Sequence, residues 1–376
     1  MIAFLKKKSR NLCIIIFVLL QTYACSSVPR ISVEALPQYN ALFSHQEGWT
    51  GGDGAYSAAL NHNTISWFFG DTWIGQIKNN RHVNATLVNN TVAIQQGKDA
   101  ATASMRFYYN RAADGQPAAL IQPEDDRGWF WIFDGVITPE GLTVFLIQIE
   151  RTPGDAVFDF KVVGTWLGLV ANPEESPINW RITQTKVPWS TSSVAGGMLW
   201  GSAILKLDDF LYIYGTAEDA GKVSVRKHMI LARVPVSSLA DFSQWRFFAD
   251  GDWVPDHRRV SLLSPDIPHE YSVTYLPALQ RFVAVYSEEG LSDTILLRLS
   301  PKPQGPWGEP IPIFECPEAG WDDSIFCYAA KAHSALSERP DGLIVTYVAN
   351  SVDFNTVAHD TRLYRPRFLR VTFSKR

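Results

Sequence analysis

Five times along the chain, a short approach segment leads into an apolar strand, a turn, and a second strand ending in aromatic or β-branched residues. The first unit runs from Gly51-Gly52-Asp53-Gly54-Ala55-Tyr56-Ser57 to Phe69-Gly70-Asp71-Thr72-Trp73, and the second from Trp129 through Asp134 to Leu146. The third runs from Leu199-Trp200-Gly201-Ser202 to Gly215, the fourth from His269-Glu270-Tyr271-Ser272 to Tyr286, and the fifth from Tyr328 through His333 to Tyr347. With Asp53, Asp134, Ser202, Ser272 and His333 as markers, the steps are 81, 68, 70 and 61 residues. Such steps suit a four-stranded sheet with decorated loops, and five sheets set radially bury both faces of each and protect their edges. Long segments of helical period are lacking. The pattern predicts an all-β chain, a single five-bladed β-propeller of four-stranded blades over residues 45–375. A two-sheet sandwich with Greek-key links is the alternative.

The N-terminus reads differently. Lys6, Lys7, Lys8 and Arg10 precede an apolar run from Leu12 to Leu20, which reads as a secretory signal and is too short to span a bilayer. Ala24-Cys25-Ser26-Ser27 resembles a bacterial lipoprotein processing site, although Thr22 stands where a large aliphatic residue is usual. Residues 1–24 are therefore expected to be a signal peptide and 25–44 a linker, with lipid on Cys25, ordinary cleavage, or an uncleaved anchor as the open outcomes. The expected location is the bacterial cell envelope or the exterior, with the membrane contacted only through that anchor and the chain monomeric.

Charge narrows the partners. The full chain carries 34 Lys+Arg and 38 Asp+Glu, and without residues 1–24 the balance is 30 against 38, a net of −8. No polybasic stretch remains, so nucleic acid is excluded as a partner and a neutral polymer fits better. Cys316 and Cys327 can pair in an oxidising compartment or stay as two buried thiols. No Cys-x-x-Cys or His-Glu-x-x-His spacing marks a metal, and no cofactor is expected; a channel Ca²⁺ stays open, with Asp322 and Asp323 as acidic groups that lack a spaced ligand pattern. A Gly-x-Ser-x-Gly elbow is absent.

In a propeller the first strand of each blade lines the central channel, so polar residues at those strand starts meet at one mouth. Here they include Asp53 and Asp71, Asp134, Trp200 and Ser202, Glu270 and Tyr271, and Lys331 and His333. Carboxyl groups beside aromatic rings are what glycosidic bond cleavage needs: one protonated carboxyl donates to the leaving oxygen, and an ionised one attacks the sugar or activates water. Asp53, Asp71, Asp134 and Glu270 are the catalytic candidates. Trp49, Tyr56, Trp73, Asn90, Trp131, Trp200, Tyr271 and His333 are the candidates for binding a sugar, with Trp129 a further wall. Each also has a plain reading: the aspartates as turn residues, Glu270 as a solvated strand edge, His333 as a satisfied core histidine, and the tryptophans as core.

At Gly51–Ser57, Phe69–Trp73, Val88–Thr91, Trp200–Ala203, Ser300–Trp307 and Tyr328–His333 the chain resembles a bacterial family of formerly unknown function. That family has five-bladed propellers, and some of its members are endo-D-arabinanases. More distantly it resembles the propeller clan of arabinanases, xylosidases and fructan hydrolases. The resemblance implies Asp53 as nucleophile or base, Asp134 as a pKa modulator or orienting group, and Glu270 as the acid. The expected function is an exported glycoside hydrolase acting on a polysaccharide, D-arabinan being one candidate; a non-catalytic module that binds glycan or protein is the alternative. The segment around Asp134 lacks a clear clan signature, and Ser334 follows His333 where proline is common.

Overall fold

The computed structural model describes residues 29–154, 159–190, 197–219 and 226–374. The expected signal peptide and Cys25 lie outside these residues. Among the described residues no helix is long and apolar enough to cross a membrane.

The chain is all-β, and five of its sheets take most of their strands from five successive stretches of the sequence. The first pairs Tyr56–Ala59, Thr64–Phe69, Thr91–Gln96 and Ser104–Tyr108. The second pairs Trp129–Thr138, Gly141–Arg151, Phe160–Val170 and Ile182–Lys186, and the third begins with Met198–Leu207, Phe210–Glu218 and Lys227–Pro235. The fourth holds Tyr271–Leu276, Arg281–Ser287, Thr294–Ser300 and Ile311–Glu315. The fifth joins Ile325–Ala332, Gly342–Ser351 and Pro366–Ser374 to Arg30–Ala35 from the start of the chain. In the first sheet, the hairpin Thr72–Lys78 and Arg81–Val88 is inserted between the second and third strands and pairs instead with Glu47–Gly52.

On the leading strands of the fourth and fifth sheets burial on both faces overrides alternation. Ile325–Ala332 is buried throughout. The apolar clusters lie between neighbouring sheets. Phe68, Phe130, Phe145 and Trp200 join the first three; Tyr214, Leu231, Tyr271 and Ala284 join third to fourth. Val283, Leu297, Val345 and Leu369 join fourth to fifth, and Trp67, Phe69, Ile344 and Phe368 join the fifth back to the first. Neighbouring leading strands also touch in chain order from the first sheet to the fifth.

Three leading strands carry β-bulges, at Phe133–Asp134, Gly201–Ser202 and Ala329–Ala330. A bulge bends its strand and re-aims the side chains beside it. Cys316 and Cys327 form a disulfide with Cα atoms 6.5 Å apart, tying the segment before the fifth sheet to its leading strand. Asp322 caps its own turn by accepting from Ser324 N at 2.9 Å and Ser324 Oγ at 2.6 Å, the plain turn role for such a group.

Arg30–Ala35 supplies six register pairs to Pro366–Ser374, and Leu36 behind it is fully buried with Phe43 and Phe368. Deleting residues 1–36 exposes that ladder as a bare sheet edge. The expected result is a thermal midpoint lowered by about 5–10 °C, read by circular dichroism, and a sample more prone to associate.

Candidate active site

The leading strands of all five sheets bring their starts to one cavity of about 950 Å³. Its wall takes Asp53 and Gly54 from ahead of the first sheet, Trp131 and Phe133 from the second and Leu199 from the third. Glu270 comes from ahead of the fourth and Tyr328 from the fifth. Asp71, Trp73, Asn89, Trp129 and Tyr364 complete it on one side.

Asp53 and Asp71 are adjacent because their backbones are paired. Asp53 N donates to the Asp71 carbonyl at 3.1 Å, and Gly70 N donates to the Asp53 carbonyl at 3.1 Å. Gly70 has to be glycine: a Cβ there would sit 2.5 Å from Asp53 Oδ1 and 3.4 Å from the Trp131 ring. Asp53 Oδ2 accepts two phenol hydrogens, from Tyr328 at 2.7 Å and Tyr364 at 2.9 Å. Burial, with the negative charges of Asp71 and Glu270, pushes the Asp53 carboxyl well above its ordinary range, and the two phenols oppose that shift. Burial and the nearby Asp53 charge hold both phenols protonated, so they remain donors.

Asp71 Oδ1 accepts from Trp131 Nε1 at 3.0 Å and Asn89 Nδ2 at 3.2 Å, yet burial raises its carboxyl to about 6. Lys331 is 1% exposed and donates to the carbonyls of Gly54 and Ala329. Its Nζ lies 3.5 Å from Glu270 Oε1 and 4.3 Å from the centre of the Tyr56 ring. Burial lowers the Lys331 pKa while the Glu270 charge opposes it. Glu270, 24% exposed, reaches the cavity beside it.

Of the expected catalytic groups, Asp53, Asp71 and Glu270 share this cavity and Asp134 does not line it. Asp134 sits in the bulge of the second sheet, with Oδ1 accepting from Gly135 N at 2.9 Å and Oδ2 from Ile204 N at 2.7 Å; burial raises it to about 7. It joins the second sheet to the third through the Ile204 backbone.

Among the residues expected to bind or wall a sugar, Trp73, Trp129 and Trp131 reach the wall. Six are corrected. Trp49 is 2% exposed and stacked on Phe107 at 4.4 Å, and Trp200 is fully buried against Trp245 and Phe247. Tyr56 lies between Phe133 and Lys331, and Tyr271 donates to the Gly215 carbonyl at 2.8 Å. Asn90 is buried and bonds the backbone of Ile121 and Phe130. His333 is buried between Ser57 at 2.8 Å and Thr346 at 2.7 Å, and burial lowers its pKa to about 3, so it is the satisfied neutral histidine of the plain reading. In each case the side chain packs into the interior of a sheet or between sheets and is not part of the cavity wall.

Residues outside the expected set also line the cavity: Tyr328, Tyr364, Asn89, Arg151 and His269. His269 bonds Thr216 at 2.6 Å and burial lowers it to about 3, so it is neutral. Arg151 lies over the Trp129 ring at 5.6 Å. Asn89 carries a signal in the Val88–Thr91 motif, in which its neighbour Asn90 is the residue expected to bind.

Residues 37–373 match the family described as domain of unknown function (DUF5005). The chain belongs to that family. No curated protein matches this DUF5005 chain by sequence. Among solved structures it is similar to a candidate hydrolase from Bacteroides ovatus at 20% identity, with 91% of this chain and 90% of the other covered and a TM-score of 0.69. That likeness places the DUF5005 chain in the same fold. Looser similarity, at TM-scores of 0.45 and 0.44, reaches an endo-arabinase from Bacteroides thetaiotaomicron and a GH43_1 enzyme from Xanthomonas citri complexed with xylotriose. The first is 12% identical over 89% of this chain and 96% of the other; the second is 14% identical over 88% of each.

The raised carboxyls give a sign for stability. Asp71 at about 6 and Asp134 at about 7 hold protons in the folded state that the unfolded chain, with ordinary carboxyls near 4, has released. Stability therefore falls as pH rises from about 4 to about 7. Asp71→Asn keeps an oxygen for both Trp131 and Asn89. It is expected to unfold with a free energy about 2–3 kcal/mol above the parent at pH 8, with the two converging at pH 4, in urea titrations at each pH.

Proposed function

We propose that the five sheets are the blades of a single five-bladed β-propeller and that the cavity at their meeting point hydrolyses glycosidic bonds. The observation that carries the reading is the convergence of Asp53, Asp71 and Glu270, from chain segments about 200 residues apart, on one cavity walled by Trp73, Trp129 and Trp131. Indole faces stack on the apolar faces of sugar rings while polar rims take the hydroxyls.

In this mechanism Asp53 is the nucleophile or base. Two phenol hydrogens on Oδ2 suit an anion there, and Oδ1 is left to act on the anomeric carbon or on a water. Glu270 gives its proton to the leaving oxygen, which departs as a sugar hydroxyl. Asp71, fixed by Trp131 and Asn89, shapes the charge around Asp53, and Asp134 acts as an orienting group through the backbone of the third sheet. As developing positive charge forms on the sugar, the negative cluster stabilises it.

The substrate class is a neutral polysaccharide, with arabinan of the D-arabinofuranose type first among candidates. The protein is proposed to be exported to the cell envelope on its basic and apolar N-terminus, with Cys25 as the lipid site.

Incubation with arabinans, xylans and fructans is expected to release oligosaccharides from one of them, and Asp53→Asn and Glu270→Gln are each expected to lower that release about a thousandfold or more with folding intact. Release unchanged in both variants removes the proposed roles; binding without release in the parent turns the reading to a recognition module. Tyr328→Phe and Tyr364→Phe each remove one donor from the Asp53 anion, so the acid limb of kcat/KM against pH should move to higher pH.

A further inference from the structure

A second cavity of about 400 Å³ adjoins the first, and Leu87, Asn89 and Trp129 belong to the walls of both. Its far wall is the segment Pro117–Pro123 with the turn at Asp126–Gly128.

Beyond the short strand Pro117–Ala118 that segment has little regular structure, yet directed hydrogen bonds hold Leu120, Ile121 and Gln122. The buried Asn90 side chain donates to the Ile121 carbonyl at 2.8 Å and accepts from Ile121 N at 2.8 Å, while the Asn90 carbonyl accepts from Leu120 N at 3.2 Å. Asn110 Nδ2 donates to the Leu120 carbonyl at 2.9 Å, and Gln184 Nε2 to the Gln122 carbonyl at 2.7 Å. Gly128 closes the wall at φ +59, where a Cβ would come within 1.8 Å of the Ile149 carbonyl oxygen. A wall ordered before a ligand arrives has already met the entropic cost of binding.

Consecutive residues divide the labour. Asn90 fixes the outer cavity's wall, and Asn89, its neighbour, lines both cavities while holding Asp71 in the inner one. Among the described residues of the outer wall Asp126 is the one charged group, beside the amides of Asn89 and Gln122, so the space suits a neutral, hydroxyl-rich group and not an anion.

Resting on the glycosidase reading, we infer that the outer cavity is a binding site for a further sugar residue of a neutral polysaccharide chain whose adjoining residues lie in the inner cavity. Asn89 and Trp129 are the shared contacts at the step between them. The chain then binds across several of its residues, and the enzyme draws on the length of its substrate.

Ala119, half-buried on the outer wall, is the position at which to fill the space. The parent, Ala119→Trp and the milder Gln122→Ala, which alters an exposed side chain, are compared on oligosaccharides of about two and about six sugars from arabinan, xylan and fructan. For the series the parent cleaves, the ratio of kcat/KM on long to short chains is expected to fall about tenfold in Ala119→Trp and about threefold in Gln122→Ala. A ratio unchanged in both, with the parent active, overturns the outer site and leaves the glycosidase reading standing. If the parent cleaves none, that reading fails. Calorimetric titration of the same oligosaccharides then decides the site alone: tighter binding of long chains that Ala119→Trp abolishes upholds it, and binding independent of length, or none, overturns it.

Discussion

A single buried ammonium group holds the centre of this molecule. Lys331 leaves the bulged leading strand of the fifth sheet and reaches the Gly54 carbonyl ahead of the first, Glu270 ahead of the fourth, and the Tyr56 face. Four carboxyls, those of Asp53, Asp71, Asp134 and Glu270, crowd the same region, and three of them act on the charge of Lys331. A buried cation is costly unless paired and hydrogen-bonded, and removing one partner of such a pair leaves the other uncompensated. The arrangement is therefore mutual: Glu270, Asp53 and Asp134 oppose the burial that lowers the Lys331 pKa, and the Lys331 charge opposes the burial that raises Asp134. Its position also spans three of the five sheets, so the charge that balances the site also fixes the junction of the sheets that form it.

Backbone geometry does the remaining placement. Each sheet is tied to the next by a polar contact near its leading strand: Asn90 to the Phe130 carbonyl, Asp134 to Ile204 N, Tyr271 to the Gly215 carbonyl, Ser272 to Ala332 N. These contacts satisfy backbone groups on and beside the leading strands, and in the bulge of the fifth sheet Ala330 N donates to Ser287 Oγ at 3.2 Å, as buried backbone polar groups must be satisfied. The bulges thus serve packing and site together. They let a strand that is apolar on both faces still present a carboxylate or an ammonium at one point.

Much of this is legible in the sequence, because repetition marks equivalent positions. Asp53 and Glu270 stand immediately ahead of leading strands in two different units, and that shared place is what brings both to one cavity. The binding residues are less legible for a physical reason. An aromatic residue near the start of an inner strand can face the cavity or the next sheet, and the bulges at Gly201–Ser202 and Ala329–Ala330 change that parity locally. Trp131 and Trp200 hold similar places in their units, yet Trp131 faces Asp71 and Trp200 faces Trp245. Asn89 and Asn90 differ in the same way within one motif. The Tyr328 and Tyr364 contacts to Asp53 join segments 275 and 311 residues apart, and no local pattern predicts which tyrosine of thirteen will close on a given carboxylate.

Such a cluster works against the stability of the chain that carries it. Burial raises Asp71 and Asp134, and burial with neighbouring charge raises Asp53, so at neutral pH the folded state must hold protons or repelling charges that the unfolded chain sheds at no cost. Apolar residues of similar volume would pack the same space more favourably. The surrounding sheets instead hold the acids in place with directed donors: two phenols on one oxygen of Asp53, an indole and an amide on one oxygen of Asp71, two backbone amides on Asp134. Donors of that number and aim are not required to fill space. They are what a site requires if carboxyl groups must be held apart, oriented and ready to exchange a proton, and that requirement is chemical.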